Sequence, residues 1–209
     1  KVCRDRTAVG KVLDGPGVNR PFHAWGGGLM VKSTVILEAA DGHKLSAYTA
    51  VPAGVVRGGI VVVQEIFGVN GHVRRVADRF AEEGYFAVAP ALFDRFQKGL
   101  ELGYALVDVE MAIAARNESP DNLALLDIDA AARFASNYGE VSVVGYCWGG
   151  TLAYLAATEL TTINAAVGYY GAGIPEIAHL VPKVPVLLHF GEADHSIPRE
   201  KIKSVQARQ

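Results

Sequence analysis

Cysteine is scarce in this chain, where only Cys3 and Cys147 occur among 209 residues. Two thiols cannot build the disulfide framework that stabilises many small secreted proteins, so the sequence predicts a reducing compartment. The first residues also lack the apolar stretch of a secretion signal. We therefore expect a cytoplasmic protein.

The chain also lacks an excess of charge of one sign and any long apolar run. Its formal net charge is −2 and it has no block of Lys and Arg, which argues against a nucleic-acid partner. Gly, Pro or charged residues interrupt every apolar stretch, so no membrane span is expected. With half of its residues hydrophobic, the chain is expected to be one soluble globular domain with a sizeable core, as a monomer or weak homo-oligomer.

Regular patterning is absent from residues 1–29, which are rich in Gly, Pro and Arg. Alternation of apolar and polar residues begins just after Met30, so we interpret residues 1–29 as an irregular N-terminal extension and Met30 as the natural start. A genuine irregular arm packed on the domain is the alternative. Residues 30–209 show no change in composition and are expected to form a single domain.

Strand and helix patterns alternate along that domain. "STVILEAADGHKLSAYTAVPAG" predicts a β-hairpin that turns at Asp41-Gly42, and "GGIVVVQEIFG" predicts a strand buried on both faces. Further strands are predicted in "YFAVAP", "VSVVG", "INAAVGYYG" and "PVLLHFG", with helices after residue 70, at 104–117 and 121–136, after residue 147 and from Pro198. This order predicts an α/β protein with a mainly parallel sheet and helices on both faces.

Three predicted strands end in residues that can carry chemistry, namely Glu65, Cys147 and Asp194. In open α/β sheets the ligand binds at the carboxyl ends of the strands. The three side chains are therefore expected to meet at one edge of the sheet.

Cys147 lies in "GYCWG", which fits the G-x-C-x-G form of a nucleophile elbow, between an apolar strand and an apolar helix. Flanking glycines are needed there because side chains would clash with the adjoining strand and helix, and the helix N-terminus favours the reactive thiolate. A buried structural cysteine in a glycine-rich turn is the alternative. The stretch lacks the lysine of a phosphate loop and the third glycine of a dinucleotide fingerprint, so no cofactor or metal is expected.

Each of the other candidates has an ordinary alternative. Asp194 suits the acid of a catalytic triad, but an Asp near Pro198 can also serve a turn or a helix cap. Glu65 at the end of a buried strand needs a partner or a cleft, and a structural salt bridge would supply one. Arg95 can bind a substrate carboxylate through its guanidinium or can simply be a solvated surface residue.

Five stretches, in order, resemble the dienelactone hydrolase family of α/β-hydrolases: "VVVQEIFGVN", "GYFAVAPALFDR", "VSVVGYCWGG", "AVGYYGAG" and "HFGEADHSIP". The resemblance covers the chain from about residue 33. It implies an α/β-hydrolase fold and a Cys-His-Asp triad that opens small lactones or esters, such as dienelactones, through a thioester. A broader carboxylesterase or thioesterase is the alternative activity.

By this resemblance, Cys147 is the nucleophile, Asp194 the triad acid and Glu65 the glutamate that contacts the resting thiol. The backbone N–H groups of Ile66 and Trp148 match the oxyanion hole. Amides after the nucleophile and after an earlier strand are also the donors that an elbow brings to a developing oxyanion.

The resemblance further places Arg95, Phe67 and Tyr169 among the residues that contact substrate. Arg95 matches a ligand of the substrate carboxylate. For Tyr169, a role in the core or the pocket wall is the alternative.

Three features depart from the family pattern. Ala91 stands where the family often has Asp, and Trp148 puts a bulky ring next to the nucleophile. None of the six histidines fits the triad position, because the family histidine follows a later strand. We therefore expect that the domain is C-terminally truncated and lacks the family's last strand and helix. A non-catalytic thiol protein, either a redox sensor or a ligand-binding pseudoenzyme, is the alternative.

Overall fold

The computed structural model describes residues 29–207, and they form one seven-stranded sheet in the order β1-β2-β4-β3-β5-β6-β7. β1 pairs with β2, and β2 with β4, in antiparallel fashion; all the other pairings are parallel. The strands are Val31–Glu38 (β1), Lys44–Val51 (β2), Gly59–Val63 (β3), Phe86–Pro90 (β4), Val141–Tyr146 (β5), Ala165–Tyr169 (β6) and Val186–His189 (β7). The helices are Gly71–Glu82 (α1), Leu106–Asn117 (α2), Asp121–Ala135 (α3), Trp148–Glu159 (α4), Ile174–Ile177 (α5) and Arg199–Gln206 (α6), with 3₁₀ turns at Leu92–Arg95 and Ser136–Tyr138.

The predicted hairpin is confirmed at the turn between β1 and β2. Gly42 has a φ of +83°, and its N–H donates to the carbonyl of Ala39 over 2.9 Å. Glycine adopts this left-handed conformation without a steric penalty, which is why Asp-Gly favours tight hairpins.

Successive residues of β3 face opposite sides of the sheet. Val61 and Val63 pack on the face that α3 and α4 cover, whereas Ile60 and Val62 pack on the face that α1 covers. Because both faces are covered, all five residues of β3 are buried, as the unbroken apolar run predicts. The prediction of a mainly parallel sheet with helices on both faces is confirmed.

Two short helical segments were not predicted. The segment after β4 is a 3₁₀ turn at Leu92–Arg95 where the sequence indicates a loop, and the one-turn helix α5 lies between β6 and β7. Both are too short to show helical periodicity in the sequence. No helix in residues 29–207 is long and apolar enough to cross a membrane.

The expectations for residues 1–28, including Cys3, lie outside the residues that the structure describes. The proposed start at Met30 and the proposed truncation therefore stay predictions.

Candidate active site

Cys147 occupies the sharp turn between β5 and α4. Its backbone has φ 56° and ψ −119°, and within residues 29–207 Tyr170 is the other non-glycine residue with a positive φ, at 41°. Strained backbone of this kind is held only by strong surrounding contacts and is common in active sites. Here the Cys147 N–H donates to the carbonyl of Tyr169 over 3.0 Å, which ties the turn to the end of β6.

The glycines on either side of Cys147 allow the strand and helix to approach closely. A Cβ at Gly145 would lie 1.8 Å from the carbonyl oxygen of Gly149, and a Cβ at Gly149 would lie 2.5 Å from the carbonyl oxygens of Val63 and Gln64. These distances are far below van der Waals contact. The steric reason that the sequence gives for both glycines is therefore confirmed.

Cys147 is half-buried, and its environment favours the protonated thiol. Burial raises the pKa of the Cys147 thiol, and the charges of Glu65 and Asp194 raise it further, while a hydrogen bond from the Trp148 N–H lowers it. The helix amide acts in the expected direction but is outweighed.

Glu65 follows β3 and receives hydrogen bonds from two tyrosines. The Tyr104 hydroxyl donates to Oε2 over 2.9 Å, and the Tyr170 hydroxyl donates to Oε1 over 3.1 Å. The carboxylate therefore has a partner on each oxygen and lies near Cys147. The structure brings Glu65 and Cys147 together as predicted, and no salt bridge to Glu65 is found within residues 29–207.

Two neighbouring polar side chains fix the turn that carries Glu65. The fully buried Gln64 accepts a hydrogen bond from the Leu92 N–H over 3.1 Å, which joins the ends of β3 and β4. Asn70 caps α1 by accepting from the N–H groups of the helix's first turn, and it donates to the carbonyl of Leu102 over 3.0 Å. These hydrogen bonds explain why polar residues, Gln64 and Asn70, stand at the two ends of "QEIFGVN".

Asp194 lies in the loop after β7, where the sequence predicts the triad acid. Its Oδ1 accepts a hydrogen bond from the Ser196 N–H over 2.8 Å, and its charge reaches the Cys147 thiol. Within residues 29–207 no histidine forms a hydrogen bond or ion pair with Asp194; His195 is exposed, and the His189 ring stacks on Tyr169. The structure thus brings Glu65, Cys147 and Asp194 to one edge of the sheet.

The arrangement of a nucleophile elbow with two acidic side chains agrees with the comparison of the whole chain with known families. Residues 45–208 match the model described as the dienelactone hydrolase family. The chain belongs to the dienelactone hydrolase family. It is a hydrolase of that type.

Individual relatives agree with the family match. The carboxymethylenebutenolidase of Pseudomonas putida is 35% identical over 176 residues, which are 81% of this chain and 74% of that protein. A Synechocystis protein assigned the same activity is 33% identical over 192 residues, covering 84% of this chain and 78% of the relative. A crystal structure from Klebsiella pneumoniae, assigned as a dienelactone hydrolase, superposes with a TM-score of 0.74 at 29% identity and covers 87% of this chain and 80% of its own. The predicted α/β-hydrolase fold is thereby confirmed.

Arg95, the predicted ligand of a substrate carboxylate in this family, is held by two aspartates of its own chain. Its Nε and Nη2 each donate to Asp127 over 2.8 Å, and its Nη1 and Nη2 donate to Asp41 over 2.8 and 3.2 Å. These bonds use four of the five N–H donors of the guanidinium. In this structure Arg95 joins the β1–β2 turn to α3, and it contacts none of the residues around Cys147 by a hydrogen bond.

The Trp148 ring is directed into the core and not into the space beside the thiol. It stacks on Phe93 with a centroid separation of 5.5 Å, and its Nε1 donates to Asp121 over 2.8 Å. Arg116 also lies over the ring, 4.6 Å from the centroid. The bulk of this residue therefore anchors the helices α2 and α3 near the elbow.

The remaining predicted site residues lie next to Glu65 or next to Cys147. Ile66 and Phe67 form the turn after β3; the Ile66 N–H has no hydrogen-bond partner within residues 29–207, and the Phe67 ring contacts Tyr104 edge-on at 4.7 Å. Tyr169 stacks between Tyr146 and the ring of His189, at 5.1 and 4.4 Å. Contacts with substrate stay a prediction for all of them.

Sequence reasoning missed Tyr104 and Gln64 as parts of the site. A polar Gln64 directly after four buried β-branched residues is a signal that was available. The sequence around Tyr104 does not indicate that this residue belongs to the site, because Tyr104 lies in an irregular loop. The position of that loop depends on the hydrogen bond from the Leu102 N–H to the carbonyl of Phe67, which is 2.9 Å long.

Proposed function

We propose that this chain hydrolyses small lactones or esters through a covalent intermediate on Cys147. The observation that carries the proposal is the glycine-framed elbow, which holds Cys147 in a strained conformation beside Glu65 and Asp194. A relative named carboxymethylenebutenolidase supports a lactone as the substrate. The reaction proposed is nucleophilic catalysis, in which one difficult step is divided into two easier ones.

In the first step the Sγ–H proton passes to Glu65, and the resulting thiolate attacks the carbonyl carbon of the substrate. The carbonyl oxygen becomes an oxyanion, for which the N–H groups of Ile66 and Trp148 are the proposed donors. The Ile66 N–H has no hydrogen-bond partner among the described residues 29–207, which supports this assignment. One such donor contributes about 3–4 kcal/mol to the stability of a tetrahedral intermediate.

In the second step the C–O bond of the ring or ester breaks, and the leaving oxygen takes up the proton that Glu65 accepted, which returns Glu65 to the carboxylate. The thioester on Cys147 is then attacked by water, which releases the acid and returns the thiol. Asp194 is proposed to orient the base for this water through a histidine, as the family resemblance implies.

The covalent step has a direct test with p-nitrophenyl acetate. We expect a burst of p-nitrophenol equal to the enzyme concentration and an intact mass increased by one acetyl group. Cys147→Ala removes both, whereas Cys3→Ser, which changes the other cysteine of the chain, leaves both unchanged. Undiminished turnover by Cys147→Ala would exclude Cys147 as the nucleophile.

A broader carboxylesterase is the second candidate, and the contacts of Arg95 favour it. A guanidinium already bound by Asp41 and Asp127 has little capacity left for a substrate carboxylate. The test compares a lactone that carries a free carboxylate with its methyl ester, in the wild type and in Arg95→Lys. Dienelactone specificity requires that Arg95→Lys lowers kcat/KM for the acid by more than tenfold relative to the methyl ester; equal effects favour the broader esterase.

A further inference from the structure

We infer that Tyr104 and Tyr170 are positioning residues whose hydroxyls together clamp the Glu65 carboxylate, so that Glu65 keeps its charge and Cys147 keeps its proton until substrate arrives. The inference rests on the proposed function, because it concerns the group that takes the proton of the nucleophile. It assigns a task to two tyrosines that lie 66 residues apart in the chain and meet on one side chain.

The geometry of the clamp follows from the order of the strands. Glu65 follows β3, Cys147 follows β5 and Tyr170 follows β6, and these three strands are neighbours in the sheet. To reach Oε1 of Glu65, the Tyr170 hydroxyl must therefore span the strand that carries the nucleophile. The charge of Cys147 affects Tyr170 accordingly, since burial, Glu65 and Cys147 all raise the pKa of the Tyr170 hydroxyl.

The backbone at Tyr170 indicates that this placement is enforced. A φ of 41° is rare for a bulky residue and carries a penalty of about 1–3 kcal/mol, so surrounding contacts must hold it. One of these contacts is the bond from the Tyr170 N–H to the carbonyl of His189, 2.8 Å long. The strained residue, whose backbone is held by this partner on β7, directs its hydroxyl to Glu65.

Tyr104 completes the clamp at the other carboxylate oxygen and is more exposed. Its side chain belongs to a residue that is 58% exposed, and its ring rests on Phe67. Because water can replace an exposed hydroxyl, the bond from Tyr104 is the one that an entering substrate would displace first. Glu65 would then regain an acceptor site for the thiol proton.

The clamp affects the equilibrium between two protonation arrangements of Cys147 and Glu65. The resting pair is Cys147–SH with Glu65–COO⁻, and the activated pair is the thiolate with Glu65–COOH; the two pairs hold the same number of protons. Two O–H donors stabilise the carboxylate and therefore favour the resting pair. Other charged groups facing this cluster are Asp194, whose charge also opposes the thiolate, and Arg75 of α1, whose charge acts on the Tyr104 hydroxyl.

The experiment measures the rate of Cys147 alkylation by iodoacetamide between pH 5 and 10 in the wild type, Tyr104→Phe and Tyr170→Phe. Because the resting and activated pairs hold the same number of protons, the fraction of molecules in the activated pair does not depend on pH. Alkylation through the activated pair therefore has a constant rate at every pH below the range in which the thiol itself ionises. Tyr170→Phe is expected to raise that pH-independent rate about tenfold, which corresponds to one hydrogen bond to a charged group. Tyr104→Phe is expected to raise it less.

Two controls separate positioning from loss of structure. Tyr146→Phe is matched, because Tyr146 lies in the same aromatic cluster, 6.3 Å from the Tyr170 ring, and its hydroxyl has no hydrogen bond to Glu65. The rate for this variant should not change. In Glu65→Gln the pH-independent rate should disappear, and adding Tyr170→Phe to that variant should have no further effect.

An unchanged alkylation rate at low pH in Tyr170→Phe would overturn the inference. An increase by the same factor at every pH would also overturn it, because it would mean that the thiol has merely become more accessible. Alkylation does not require turnover. A failure of the clamp is therefore distinct from a failure of the proposed hydrolase mechanism, which the acetyl-enzyme measurement tests.

Discussion

Arg95 donates two hydrogen bonds of 2.8 Å to Asp127, whose side chain is completely inaccessible to solvent. The pair connects the segment after β4 with the middle of α3. The guanidinium charge offsets the burial of this carboxylate, and each group would be poorly tolerated there without the other.

Arg95→Ala is therefore expected to lower the free energy of unfolding by about 3–5 kcal/mol, because it leaves a buried carboxylate without its partner. Denaturant unfolding followed by circular dichroism measures the change. The matched control is Arg199→Ala, which breaks an exposed pair with Glu192 and should change the free energy by less than about 1 kcal/mol. Similar losses in the two variants would contradict the buried role of Arg95.

Acid should weaken the fold through Asp41. Hydrogen bonds from Arg95 are the main cause that lowers the pKa of Asp41 from 3.8 to about 2. A group whose pKa is lower in the folded state stabilises the fold above its ordinary pKa and loses that contribution as pH falls through the folded value. We expect the free energy of unfolding to fall between about pH 4 and pH 2, and to fall less steeply in Asp41→Asn; equal slopes would contradict the pairing.

Glu65→Gln should make Cys147 more reactive and the enzyme slower. Removing the negative charge lowers the pKa of the thiol relative to the wild type, so alkylation at pH 8 should become about tenfold faster. Loss of the proton acceptor should at the same time reduce kcat/KM about 100-fold or more.

Glu82→Gln, on the exposed surface of α1, is the control for the Glu65 variant and should change neither rate. If Glu65→Gln lowered alkylation and hydrolysis together, Glu65 would have a structural role and not the electrostatic one.

Gly145→Ala should disrupt the elbow. The added methyl group would lie 1.8 Å from the carbonyl oxygen of Gly149, so β5 and α4 would have to separate. We expect a loss of about 4 kcal/mol or more in stability, seen as a large fall in Tm, together with loss of the acetyl-enzyme.

Gly99→Ala is the control for the elbow variant, since a methyl group there meets open space and only the left-handed backbone is unfavourable. About 1 kcal/mol is expected for it. A Gly145→Ala protein as stable as Gly99→Ala would show that the elbow can relax.

The parts of this molecule that depend on local pattern could be predicted from the sequence. The unbroken β-branched residues of β3 predict a strand covered on both faces, and Asp41-Gly42 predicts the hairpin turn. The glycines around Cys147 predict the elbow, because the G-x-C-x-G pattern lies within five residues of chain, although the carbonyl oxygens that Gly149 approaches belong to Val63 and Gln64.

Features that depend on distant partners could not be predicted in the same way. Burial is the main cause of the raised pKa of the Cys147 thiol, and Glu65 and Asp194, which reach the thiol from other strands, raise it further, so the effect of the local helix end is outweighed. The contacts of Arg95 depend on Asp127, 32 residues away. No periodicity in the sequence encodes either relationship.

The rings of Tyr146, Tyr169 and His189 stack across three adjacent strands, at positions that are directly paired in the sheet. A slip of one residue in β6 would turn its ring to the opposite face and would also remove the Tyr169 carbonyl from the amide of Cys147. Chains that fold with a shifted β6 are thus expected to be inactive. The specific activity of a preparation would therefore measure the fraction of molecules in which β6 has the correct register.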